Sequence, residues 1–180
     1  LHSVYVEAAF GAAFDATSNW DGNKDAVGRL NLGSVFFTSQ TLQAGFEAGI
    51  ESGATLHLPF TKEEVAPLGG VEIDATLKPM LDAALNLRAE PFAEIPLFLT
   101  FKAGAVWRRL ESDRPSVSGS REVSPLLAAG FGFRLYEQSA LYLAYEWIGG
   151  QRPQLLVDEV NEVATIRHIP TRQALLLGFS

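Results

Sequence analysis

His57 and His168 are the side chains here best suited to acid–base or metal chemistry, because imidazole titrates near neutrality and is the commonest metal ligand. Carboxylates stand near both in sequence: Glu63 and Glu64 follow the first, and Asp158 and Glu159 precede the second. A loop metal site could draw on these residues. Specific metal sites, however, carry a defined ligand spacing, and none is present. A serine nucleophile needs a base within hydrogen-bond reach. Ser52 is the candidate, yet it falls on the apolar set of its segment while His57 and His168 fall on the polar set. No HExxH, GxSxG or comparable motif occurs. The carboxylates of "GVEIDATLKPMLD" alternate with apolar residues, which is the signature of a strand face. The reading is therefore of surface histidines, with no catalytic residue, no metal ligand set and no cofactor.

Composition narrows the field further. The chain has 180 residues, enough for one domain over 1–180 with a sizeable core. Its 14 Lys and Arg against 21 Asp and Glu give a formal net charge of −7, a poor match to a phosphate backbone, so nucleic acid is not an expected partner. The absence of Cys excludes disulfides, thiol catalysis and Cys-based zinc sites. No run approaches the roughly 18 consecutive apolar residues of a transmembrane helix. The chain opens directly in a strand-like segment with no leader pattern, so the expectation is a mature protein whose signal peptide has been removed.

What must position any site is a set of strands. Period-two alternation recurs over eight segments: Val4–Phe14, Arg29–Phe37, Leu42–Leu58, Val71–Ala89, Leu97–Arg108, Val123–Leu135, Leu141–Trp147 and Thr171–Ser180. In the first, Val4, Val6, Ala8, Phe10, Ala12 and Phe14 oppose Glu7 and Gly11; in the third, Phe46, Ile50, Ala54, Leu56 and Leu58 oppose Glu47, Glu51 and His57. Short links, "TSQT", "EPFAEI" and "YEQS", alternate with long polar ones, "DATSNWDGNKDAVG", "PFTKEEVAPLGG", "RLESDRPSVSGSRE" and "GGQRPQLLVDEVNEVATIRHIP". That rhythm predicts an all-β, eight-stranded antiparallel up-and-down transmembrane β-barrel.

A soluble barrel would turn the apolar set inward. Two features predict the reverse. The polar set is rich in glycine, at 11, 33, 45, 49, 104, 130, 132 and 178, which suits the crowded concave side of a narrow barrel. The apolar set carries aromatics near strand ends, Phe14, Phe36, Trp107, Tyr145, Trp147 and Phe179, in the manner of interfacial girdles. The polar set then lines the lumen with Glu7, Glu47, Glu51, Asp82 and Glu146 against Arg29, Arg88, Lys102, Arg108, Arg134 and Arg172, a balance of charge that pairing could satisfy. An eight-stranded barrel is just wide enough for side chains to fill. The expected network comprises Glu7, Arg29, Glu47, Asp82, Arg88, Lys102, Arg134, Glu146 and Arg172, with Glu47 and Glu146 pairing with Arg29, Lys102, Arg134 and Arg172.

The strand count, the alternation of turns and loops, and the closing "QALLLGFS" resemble the small eight-stranded outer-membrane barrels of the OmpA-like transmembrane and opacity type. The resemblance covers nearly the whole chain. It implies a bacterial outer membrane, outer-membrane lipid as surroundings, and roles in anchoring, adhesion or surface structure. Some such barrels modify lipid A, which requires a serine–histidine pair on the lipid-facing side; here the histidines have the wrong parity for it, and Ser52 lacks a partner of matching orientation. A narrow channel for small solutes is the other alternative.

The long connections carry the remaining signal. Alternation in segments three and four outlasts the ~9–11 residues that span a bilayer, and "QLLVDEVNEVATIRHI" reads as a hairpin. Val65, Leu68, Leu155, Leu156 and Val160 are apolar for solvated loops. The expectation is a monomeric barrel whose regions 59–70 and 151–169 rise together and face a partner, another surface or envelope protein.

Overall fold

The alternating residues of Ser3–Asp15 form β1, a strand with Val4, Val6, Phe10 and Phe14 on its exposed side and Glu7, Ala9, Ala13 and Asp15 buried. The structure, a computed structural model, describes residues 3–15, 24–58, 60–70 and 73–180. Most of the first long loop and the first two residues of the segment Val71–Ala89 therefore lie outside the described residues. The other strands are β2 (Lys24–Thr38), β3 (Leu42–Glu51), β4 (Ala54–His57), β5 (Asp74–Leu77), β6 (Met80–Ala89), β7 (Leu97–Ser112), β8 (Val117–Ser118), β9 (Ser120–Tyr136), β10 (Ser139–Ile148), β11 (Gln154–Asp158), β12 (Val163–Arg167) and β13 (Arg172–Phe179). A short helix, α1 (Lys62–Val65), starts at a capping box in which Thr61 and Glu64 satisfy each other's backbone N–H.

Eight strands close a ring in the order β1, β2, β3, β6, β7, β9, β10, β13 and back to β1. Every neighbouring pair is antiparallel; Phe10 faces Gly28 on one side and Leu177 on the other. Closure leaves no open edge in the ring, so its backbone groups pair with one another. Glycine permits this tight curvature where strands touch. A Cβ at Gly11 would sit 1.8 Å from the Leu175 carbonyl oxygen.

The outer face is an apolar belt. Phe10 is 66% exposed, Phe46 61%, Leu81 58% and Val123 60%, and Phe36, Trp107, Tyr145 and Phe179 are about half exposed. An outward apolar surface running round the whole ring marks contact with something other than water.

The sequence pattern misleads at one level of the barrel. The segments Leu42–Leu58 and Val71–Ala89 read as unbroken strands with one apolar face. Instead the first breaks at Ser52–Gly53 and the second at Lys78–Pro79. Below the breaks Phe46, Ile50, Leu81 and Leu85 face outward; above them Ala54, Leu56, Ile73, Ala75 and Leu77 are buried inside. Gly53 lets the chain pass against β5, since a Cβ there would lie 1.7 Å from the Leu77 carbonyl oxygen. Pro79 supplies the matching gap in the ladder, having no N–H to donate.

Above this level the molecule follows the rules of a water-soluble β protein, with polar Thr55, His57 and Thr76 exposed and apolar residues within. The interior there is a hydrophobic core containing Leu56, Leu58, Val65, Ile73, Leu77, Leu110, Leu126, Ile148, Ile166 and Ile169. The hairpin β11–β12 and the two-residue β8 make a small second sheet on this side; Ala164 and Ile166 are buried in the core, and Leu155 and Val157 pack against it. Each fully buried Leu or Ile contributes about 1.5–3 kcal/mol. The long-loop side is thus a packed cap.

Candidate functional site: a layered lumen and its cap

Inward-facing polar residues stack in three layers from the short-turn side to the cap. In the first, Lys102 Nζ donates to Glu7 Oε1 at 2.6 Å and to Glu47 Oε1 at 2.7 Å. Glu7 also accepts from Tyr142 Oη at 2.6 Å and Asn31 Nδ2 at 2.9 Å. Glu47 accepts from Tyr5 Oη at 3.0 Å, and Asn86 bridges Tyr5 to Thr100. In the second, the Arg29 guanidinium donates to Asp82 Oδ1 at 2.7 Å, to Glu51 Oε2 at 3.4 Å and to Glu146 Oε2, while its Nε is held by Asn31 Oδ1 at 2.9 Å. In the third, fully buried Arg172 joins Glu51 Oε1 at 3.1 Å to Asp15 Oδ2 at 3.0 Å. Glu51 links the second layer to the third.

Of the residues expected in the network, Glu7, Arg29, Glu47, Asp82, Lys102, Glu146 and Arg172 lie in these layers. Glu47 pairs with Lys102, and Glu146 with Arg29. Arg172 takes Asp15 and Glu51 instead. Arg88 and Arg134 stand apart at the short-turn rim, both beside Glu90, with Arg88 3.7 Å over the Phe98 ring. The charge balance expected inside does not hold: six carboxylates (Glu7, Asp15, Glu47, Glu51, Asp82, Glu146) are buried among Arg29, Lys102 and Arg172. Arg108, the other buried cation, serves the cap. It donates to Ser124, Glu122 and the carbonyls of Gly149, Ile169 and Pro170, fastening the last long connection to the barrel rim.

Asp15, Tyr5 and Tyr142 were not among the expected pairing residues. Parity on their strands does carry the signal, because Tyr5 and Asp15 share odd positions with Glu7, and Tyr142 shares even positions with Glu146. A cavity of about 670 Å³ opens on the short-turn side, lined by Tyr5, Asn86, Arg88, Thr100, Lys102 and Tyr142 among others. Its lining reaches the Lys102 layer and includes neither Arg29 nor Arg172.

Among the candidates for chemistry, His57 Nδ1 lies 2.6 Å from Asp74 Oδ1, its exposed cross-strand partner. His168 adopts a left-handed backbone conformation with φ of 67° just after β12. Glu64 is occupied by the α1 capping box. Asp158 closes the β11–β12 turn, where bonds from the Asn161 side chain and the Val160 N–H hold its carboxyl below the usual range. Ser52 Oγ accepts from the Gly28 N–H at the strand break. Among the described residues, no group of three His, Asp or Glu side chains is placed to hold a metal. The loop residues divide: Val65 is buried, Leu68 and Leu155 pack on the core, and Leu156 and Val160 are 48% and 90% exposed. Val65, Leu68 and Leu155 therefore turn inward, away from any partner, because the cap needs them as core.

No family model matches the chain, and neither does any curated protein sequence. Solved structures do. The attachment invasion locus protein Ail of Yersinia pestis superposes with a TM-score of 0.57 at 10% identity, covering 98% of this chain and 95% of that one. Neisserial surface protein A gives 0.55 at 13% identity, covering 99% and 96%. Ail in complex with the heparin analogue sucrose octasulfate gives 0.53 at 12% identity, covering 98% and 95%. At such identities the likeness is one of architecture: this chain has the closed antiparallel fold of the small eight-stranded outer-membrane barrels.

Proposed function

We propose that this protein spans a bacterial outer membrane with its apolar belt, keeps its lumen closed to solutes, and offers the outer side of its cap to a partner at the cell surface. The observation that carries this reading is the inversion at Ser52–Gly53 and Lys78–Pro79. Apolar residues face outward below it and inward above it, as a barrel passing from lipid into water requires. The names of the similar proteins, an attachment invasion locus protein and a surface protein, support a role at the cell surface. Exposed Leu156, Val160 and Val163 on the β11–β12 hairpin are the apolar groups available for contact.

Phe46 and Leu85 are cross-strand partners on the belt. Arg at either should cost about 2–4 kcal/mol near mid-bilayer and lower the folded, heat-modifiable fraction in vesicles. Arg at exposed Thr55, above the break, should be tolerated. Equal tolerance at all three sites would remove the lipid-facing belt.

Closure of the lumen is tested by conductance in planar bilayers. The charged layers and the apolar core above them should hold current at the level of the bare membrane. Steady single-channel steps would instead support the narrow-channel reading. Surface contact is tested by comparing the adhesion of cells displaying wild type and L156D/V160D. Equal adhesion would exclude this hairpin as the contact.

A further inference from the structure

On the outer surface, β7 and β9 bring Trp107 opposite Val123 and, at the next outward position toward the cap, Arg109 opposite Arg121. Both arginines are exposed, while Arg108 and Leu110 beside Arg109 are buried. Lys78 extends the row on the adjoining strand path, its backbone N–H donating to the Arg109 carbonyl at 2.9 Å. Three cations on neighbouring strands thus stand at one height, about 6–7 Å along the strand above the last apolar pair. A shallow recess of about 510 Å³ is lined there by Trp107, Arg109, Arg121 and Val123, with Arg108 and Glu122 behind them.

Directly opposed like charges destabilise an antiparallel pair. Glu111 relieves part of this row, bonding to Lys78 Nζ at 3.0 Å and pairing with Arg109. Lys78, Arg109 and Arg121 against Glu111 leave a local charge of +2 on a chain whose net charge is −7. Arg121 makes no ion pair among the described residues. Paired guanidinium forks match the oxygens of a phosphate group. A tryptophan immediately below them suits the boundary between hydrocarbon and headgroup.

We propose that Lys78, Arg109 and Arg121 bind the phosphate groups of a phosphorylated glycolipid in the outer leaflet, with its acyl chains lying along Trp107 and Val123. This rests on the membrane orientation proposed above. The full chain, folded in detergent micelles, is titrated with bisphosphorylated lipid A and with the same lipid stripped of phosphate, and retained lipid is counted by mass spectrometry. Wild type should retain the phosphorylated form preferentially. R121Q should weaken retention by about fivefold and R109Q/R121Q by more, in line with the attraction of one basic residue at a charged membrane surface. E111Q, which removes the competing carboxylate, should strengthen it.

Wild-type retention by R109Q/R121Q, or equal retention of the dephosphorylated lipid, would overturn the site. Binding of sucrose octasulfate through the same arginines, without preference for phosphorylated lipid, would overturn its assignment to lipid. Heat-modifiable migration of each variant shows that the barrel has folded. Failure of wild type to insert into vesicles would instead count against the membrane reading itself.

Discussion

Arg29→Met should be the most damaging single substitution in the lumen, costing roughly 3–5 kcal/mol, the range for stranding a buried charge. The guanidinium donates to Glu51, Asp82 and Glu146 and lies 3.9 Å from Glu47. All four carboxylates are buried. Removing Arg29 leaves carboxylates that already outnumber the cations around them. Arg29→Lys should do less damage, because an ammonium restores the charge but lacks the planar fork that reaches three strands at once. Denaturant titration in vesicles should rank the midpoints as wild type, R29K, then R29M. Adding E146Q to R29M should recover part of the loss, since the cycle removes both members of one pair. If R29M matched wild type in midpoint and slope, the layer would not be holding the strands together.

Arg29 also shows what a sequence can and cannot disclose. Its parity on β2 identifies it as inward, and Glu47, Lys102 and Glu146 are legible in the same way. Its partners are not. They lie 22, 53 and 117 positions away on β3, β6 and β10, and only the register of a closed barrel brings them to one height. Alternation gives the face of a residue and says nothing of its depth. Arg88 and Arg134 therefore read like Lys102, although they sit at the rim with Glu90. The same limit applies to Phe46 and Leu56. They share parity and hydrophobicity but face opposite sides, because a break at Ser52–Gly53 changes which side is wet. Gly53 and Pro79 were the available markers of that break. A glycine in an alternating run is ambiguous by itself, since the lumen of a narrow barrel also selects glycine.

That inversion divides the molecule into two cores, and a change in the cap should separate them. Replacing residues 153–166 with a short turn removes Ala164 and Ile166 from the upper core and uncovers apolar neighbours including Leu56, Leu77, Leu110 and Ile148. Ile166→Ala alone should cost about 2–5 kcal/mol of cap stability, the range for truncating a buried aliphatic side chain. Leu156→Asp, on the exposed side of the same hairpin, should change stability by no more than about 0.5 kcal/mol. The lower barrel should survive the replacement. Its ring registers and its three charged layers draw on no residue of 153–166, and the Arg108 contacts to Gly149, Ile169 and Pro170 lie outside it. Local opening then need not become global unfolding. Hydrogen exchange should show β4 and β5 losing protection while β1, β2 and β13 keep theirs, and the protein should remain heat-modifiable and inserted. Loss of the whole barrel would mean that the cap core and the lumen fold as one unit. Unchanged protection of β4 and β5 would mean that the hairpin contributes nothing to the core on which it rests.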